Sequence, residues 1–208
     1  MYQNLLFDSS LLRFLLKLDS DLAAQCRKQG CKCGGKLHGA RYRRKPRGLP
    51  SEMEDDYAWR YSFCCALEGC RRRTTPASFR FLGRKVFVSV VVVLVSALRH
   101  GATPARVAKL REAVGVSRRT VERWRQWWQE SFVRSPFWQQ ARGRLRKAID
   151  SEALPLSLLE AFCSAQAKTR LLDLLRFLLP LSAPWPKQAS RWLSVTRRRC
   201  LSPTGSAV

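Results

Sequence analysis

Two cysteine pairs, Cys31 with Cys33 and Cys65 with Cys70, stand on either side of a short acidic stretch, SEMEDD at residues 51–56. No other feature constrains the chain as tightly. Two short loops that each give two thiolates supply the four corners of a tetrahedron cheaply, because each loop closes only a small ring. The spacing therefore predicts a structural zinc site with Cys31, Cys33, Cys65 and Cys70 as ligands. The first pair reads CxC followed by Gly34 and Gly35, where the commoner knuckle is CxxCG; the glycines let backbone amides turn toward the sulfurs. Cys64, Cys26 and His38 are the residues that could replace one of the four. Cys163 and Cys200 lie far away in sequence and read as incidental thiols. No general base accompanies the cysteines, so the metal is expected to hold structure and not to catalyse.

Positive charge crowds around the same cysteines. Residues 26–50 sum to +9, whereas residues 1–25 sum to −1 and residues 51–63 to −3. The whole chain, with 39 Lys and Arg against 15 Asp and Glu, carries a formal charge of +24. Such an excess repels itself unless a polyanion is near, and nucleic acid is the natural partner. Arg41, Arg43, Arg44, Lys45 and Arg47 follow the first pair, and Arg71, Arg72 and Arg73 follow the second. Guanidinium groups match phosphate geometry, and fixing them beforehand on a metal-pinned hairpin reduces the ordering cost of binding.

A membrane location is not expected. The strongest apolar run, residues 86–98, is 13 residues long, short of the about 20 that a spanning helix needs. The N-terminus carries no basic segment and places Asp8 inside its first apolar stretch, which argues against a secretory signal. The chain is expected in the cytoplasm, where 8 cysteines are better explained by metal or burial than by disulfides.

The fold class that follows is mostly α with a small zinc-ribbon-like β module and a helix-turn-helix. Residues 1–25 form an N-terminal helix with Leu11, Leu12, Leu15, Leu16 and Leu18 on one face and Ser9 or Ser10 as N-cap. Residues 26–83, rich in Gly, Pro, Arg and Cys, form the zinc-ribbon-like module. Residues 84–150 form the helix-turn-helix domain, residues 151–181 a C-terminal helix centred on 156–179, and residues 182–208 a flexible tail. VFVSVVVVLV has strand propensity, but the helical unit after it needs a first helix to rest on, so it is read as a helix. Thr103 caps the next helix with Pro104 at its first position, Gly115 makes the turn, and Ser117 caps SRRTVERWRQWWQ. On that last helix Val121, Trp124 and Trp128 share one face for burial. Arg118, Arg119 and Arg123 project elsewhere, near the end that a recognition helix places in the major groove. Trp127 has no assigned role.

The cysteine ribbon, then CRRRTTPASFRFLGRKVF, then the unit ending SRRTVERWRQWW, resembles the N-terminal DNA-binding region of bacterial insertion-sequence transposases. It also resembles short transposase-associated proteins that lack the catalytic core. The resemblance covers residues 31 to about 145 and implies a bacterial, nucleoid-associated protein that binds double-stranded DNA. It also implies a transposase or recombinase as protein partner. A full transposase of this kind carries an Asp, Asp, Glu triad on a mixed sheet. After Val86 this chain has only Glu112, Glu122, Glu130, Asp150, Glu152, Glu160 and Asp173, mostly within expected helices, so no catalytic residue is assigned. The resulting expectation is a DNA-binding, transposase-like protein or transposition accessory factor, with a C-terminal helix that permits homodimers. A compact metal-dependent recombinase and an RNA-binding protein are the alternatives.

Overall fold

A computed structural model describes residues 3–83, 85–97, 104–145 and 148–183. The centre of the molecule is the helix α3, Ser89–Ser96, in which every residue is buried. A run of valines would accept a strand, but a helix satisfies its own backbone hydrogen bonds when it is surrounded by side chains on all sides. The propensity cost of β-branched residues is only some tenths of a kcal/mol each, against roughly 1.5–3 kcal/mol for burying each side chain. Its two serines spend their hydroxyls internally, Ser89 on the Phe79 carbonyl and Ser96 on the Val92 carbonyl.

The first long helix, α1 (Ser9–Gln29), packs Leu11, Leu12 and Leu15 into this core. Its N-cap is Asp8, whose carboxylate accepts from the Leu11 amide at 3.0 Å, and not Ser9 or Ser10. Ser10 instead donates to Asp8 at 2.6 Å. The helix runs past residue 25 and stops at Gly30, whose φ of 71° only glycine adopts freely.

Five short strands follow: β1 (Leu37–Gly39), β2 (Tyr42–Arg43), β3 (Trp59–Arg60), β4 (Phe63–Cys65) and β5 (Arg73–Thr74). They form an antiparallel sheet in the order β1-β4-β5 and a separate two-stranded ribbon, β2-β3. The acidic stretch runs through a 3-10 turn, Ser51–Met53, into the short helix α2 (Glu54–Tyr57).

After α3 come α4 (Pro104–Val114) and α5 (Arg118–Gln126), joined through Gly115 at φ 65°. Thr103, expected to cap α4, lies outside the described residues. Ser117 caps α5 as expected, accepting from the Thr120 amide. The chain then widens into a π-helical segment, Trp127–Phe132, followed by α6 (Pro136–Ala141). The expected single C-terminal helix is two, α7 (Leu156–Glu160) and α8 (Ala167–Leu178), with residues 161–166 between them. The leucine face of α8 is spent inside: Leu171, Leu174, Leu175 and Leu178 are all buried in the core. Most of the expected tail, from residue 184, lies outside the described residues, as does Cys200. No helix among the described residues is long and apolar enough to cross a membrane.

The large core draws on all eight described helices, α4 through Val114, so the segment boundaries read from sequence do not mark separate cores. Met53, Tyr57, Phe79, Phe81 and Leu82, within the expected ribbon module, belong to it. A second, small cluster packs Ala23, Leu37 and Phe63 with Cys31 and Cys65.

A buried ion pair locks these layers. Asp19 on α1 accepts from Arg80 Nε at 2.8 Å and from the Phe79 amide at 2.6 Å, and Ser78 Oγ donates to the same carboxylate. Arg80 also reaches the carbonyls of Trp59 and Asp56 and lies over the Tyr57 and Phe81 rings. Its partner is fully satisfied, which is the condition under which a buried charge is tolerated.

Candidate metal centre and nucleic-acid interface

The ligand atoms of Cys31, Cys33, Cys65 and Cys70 all lie within 4.8 Å of one another. Among the described residues this is the one group of three or more His, Cys, Asp or Glu side chains gathered closely enough to hold a metal ion. Two turns and a strand build it. The Cys31 amide donates to the Gly35 carbonyl and the Gly34 amide to the Cys31 carbonyl, both at 2.9 Å, which curls residues 31–35 around the first two sulfurs. Gly34 holds φ 85° to do so. At Gly35 a Cβ would come within 2.6 Å of the Cys65 sulfur, so only glycine fits the space that the second pair needs. Cys65 ends β4, which pairs with β1 and β5, and a turn from Leu67 brings Cys70 back.

The sulfurs stand 3.7 Å apart for Cys31 and Cys70 and 3.5 Å for Cys33 and Cys65. A tetrahedral ion with bonds of about 2.3 Å to sulfur needs sulfur–sulfur edges of about 3.8 Å, and a disulfide needs about 2.05 Å. The cluster has the size of a metal tetrahedron and is too open for covalent pairs. Its electrostatics agree. The Gly35 amide, with the thiols of Cys70, Cys31 and Cys65, draws the Cys33 thiol down to about 7. At Cys65 the Leu67 amide pulls the same way, but burial and the other sulfurs outweigh it and push the thiol up to about 12. One thiolate forms readily and resists the next, which is what four crowded sulfurs do until a cation neutralises them.

The alternative ligands stand apart from this cluster. Cys64 points the other way along β4, toward the Arg71 carbonyl at 3.4 Å. Burial pushes the Cys26 thiol up, and its side chain packs against the small cluster that includes Cys31 and Cys65. His38 sits opposite Cys64 in the β1-β4 register and is exposed.

The basic residues divide. All but Arg44 are exposed: Arg41, Arg43, Lys45 and Arg47 on and beside the separate β2-β3 ribbon, and Arg71, Arg72 and Arg73 immediately after Cys70, leading into β5. Arg43 faces Asp55 of α2 at 3.6 Å and lies 5.6 Å from the centre of the Trp59 ring. Arg44 differs: its guanidinium donates to the carbonyls of Gly83 at 3.1 Å and Lys85 at 2.8 Å and stacks 4.5 Å from the Phe81 ring. It ties the strand region to the segment before α3, and sequence gave no sign of this because its partners are backbone carbonyls some forty positions away.

On α5, Val121, Trp124 and Trp128 are buried as expected, and Trp124 meets Phe87 edge-on at 5.0 Å. Arg118, Arg119 and Arg123 are exposed, with Arg118 bonded to Glu122 at 2.8 Å and Arg123 reaching the Thr120 hydroxyl. Trp127, unassigned by sequence, packs against Trp128 and Phe132, and the Lys85 ammonium lies 4.3 Å from its ring centre. Burial, then the charge of Arg123, lowers the Lys85 pKa below that of an ordinary lysine. Comparison with protein-family models, curated proteins and solved structures finds no match to this chain.

Proposed function

We propose that this chain binds double-stranded DNA through a zinc-pinned basic module and a helix-turn-helix, in the manner of a transposase DNA-binding region or a transposition accessory factor. The observation that carries the reading is the cluster of four cysteines with exposed arginines in the segments that follow each pair. In this reading Cys31, Cys33, Cys65 and Cys70 hold a structural zinc ion. Arg41, Arg43, Lys45, Arg47, Arg71, Arg72 and Arg73 contact the phosphate backbone. Arg118, Arg119 and Arg123 on α5 then face base edges, the first turn of the helix being fixed by the Ser117 cap. A transposase or recombinase, or a second copy of the chain, would act beside it on bacterial nucleoid DNA.

Duplex binding across a salt series tests this. The affinity is expected to fall steeply with salt, because each neutralised phosphate releases counterions. Arg118→Ala with Arg119→Ala should weaken the preferred sequence more than random duplex. Arg43→Ala with Arg72→Ala should weaken both alike and flatten the salt dependence. Binding that does not respond to salt, or equal losses from both pairs on every sequence, would refute the division of roles.

One observation favours a second reading, recognition of single-stranded RNA or DNA. Trp59 is 44% exposed on the β2-β3 ribbon, and Arg43, its partner across the ribbon, lies 5.6 Å from its ring centre. An exposed ring beside an arginine is a surface on which an unpaired base can stack. Tighter binding to a single strand than to duplex of the same sequence would favour it.

A further inference from the structure

The interior holds more cationic than anionic charge beside an open cleft. Arg60 is 2% exposed and Arg80 1% exposed, and Arg44 is half-buried. Asp19 is the carboxylate among them, and Arg80, Phe79 and Ser78 already occupy it. Arg60 donates one terminal nitrogen, Nη2, to the Pro76 carbonyl, while Nη1 has no hydrogen-bond partner among the described residues. Arg44 spends both terminal nitrogens on carbonyls, which orient the guanidinium and leave its net charge in place. Guanidinium does not shed its proton in a protein, so burial cannot neutralise these groups. An uncompensated buried charge costs several kcal/mol.

Arg44 and Arg60 together line a half-open cavity of ≈ 600 Å³, with Tyr42, Thr75, Gly83 and Ser182 among the other walls. No acidic side chain lines it. All 15 Asp and Glu residues of the chain fall within the described residues, so no carboxylate side chain outside them can complete the site. Among the described residues no carboxylate is left to compensate the two guanidiniums.

We propose that this cleft binds a phosphate group, either as the free ion or as a phosphomonoester. Two guanidiniums match the near-double charge of phosphate at neutral pH better than that of a carboxylate. The hydroxyl of Tyr42 offers a neutral donor on the same walls, and the volume suits a small ligand. The site uses different residues from the exposed arginines assigned to DNA, so either reading can fail without the other.

The test uses the full chain. Thermal unfolding is followed in inorganic phosphate and in chloride at equal ionic strength, with phosphate stoichiometry from equilibrium dialysis. Phosphate is expected to raise Tm saturably above chloride with one ion bound per chain. Thr75→Glu places a carboxylate in the cleft; it should raise Tm in phosphate-free buffer and lower phosphate affinity by about tenfold or more. Ser20→Glu, exposed on α1, adds the same charge elsewhere and should leave phosphate binding unchanged. Tyr42→Phe at the rim, a milder change, should lower affinity without altering the fold. If AMP protects and adenosine does not, the cleft accepts a phosphomonoester; if inorganic phosphate alone protects, the free ion is the ligand. Equal effects of phosphate and chloride on the wild-type chain would overturn the proposal, as would undiminished phosphate binding in both Thr75→Glu and Tyr42→Phe.

Discussion

The sulfurs of Cys33 and Cys65 lie 3.5 Å apart although the residues are 32 positions apart in sequence. That contact, with its counterpart between Cys31 and Cys70, closes the loop carrying the acidic stretch and the exposed Arg41, Arg43, Lys45 and Arg47. The small cluster of five buried residues, Cys31 and Cys65 among them, is too small to order the sheet unaided. Structural zinc sites contribute apparent binding energies of about 10–16 kcal/mol to folding. Cys65→Ser is therefore expected to abolish metal binding and to deprotect the β1 and β4 amides in hydrogen exchange. The α3 amides, in the large core, should stay protected. Gly35→Ala should act in the same direction, because its Cβ would meet the Cys65 sulfur at 2.6 Å. Simultaneous loss of α3 protection would show that the two clusters fold as one unit.

Asp19 and Arg80 form a buried pair that neither partner can leave cheaply. Asp19→Ala should lower the unfolding free energy in urea by about 3–5 kcal/mol, the usual cost of stranding a buried charge. Asp19→Leu combined with Arg80→Met should recover part of the loss. A double variant worse than either single one would mean that the carbonyl contacts of Arg80 matter more than its charge.

Arg43 and Arg44 are neighbours in sequence with opposite surroundings. Arg43→Ala should leave thermal stability nearly unchanged and reduce the salt slope of duplex binding by about 1. Arg44→Ala removes two hydrogen bonds from a charged donor, each worth about 1.5–3 kcal/mol, and should lower Tm clearly. Unchanged Tm in Arg44→Ala would return it to the group of phosphate contacts.

Asp8 joins the start of α1 to α8. Hydrogen bonds from Ser10, then from the Leu11 amide and Lys168, hold its carboxyl down at about 2, below the ordinary 3.8, against a smaller opposing effect of burial. A carboxylate with a depressed folded pKa stabilises the fold above its unfolded value, and that contribution disappears as pH falls through the folded one. Stability should therefore decline between about pH 4 and pH 2 through this group, and Asp8→Asn should flatten the decline in that window. An identical pH profile in Asp8→Asn would remove Asp8 from the account.

Outcomes set by neighbouring residues, or by a motif whose two halves each carry a recognisable spacing, are legible in the sequence. The gathering of Cys31, Cys33, Cys65 and Cys70 follows from their spacing, the α5 cap from Ser117, its buried face from Val121, Trp124 and Trp128, and the α3 helix from its neighbours. Contacts with a distant partner that no motif marks are not legible. Asp19, Arg60 and Arg80 look like surface charges because their partners are 16 to 61 positions away. Asp8 took the cap from the serines because its carboxylate reaches both the Leu11 amide and Lys168. The break at residues 161–166 carries no proline, and the apolar pattern runs across it, so periodicity joined α7 to α8.

Zinc content per chain, measured by inductively coupled plasma mass spectrometry on protein purified under reducing conditions, tests the central claim most directly. The account predicts one zinc ion per chain, lost in Cys33→Ser and Cys65→Ser and retained in Cys64→Ser and Cys26→Ser. A metal-free wild-type chain with β1 and β4 fully ordered would contradict it.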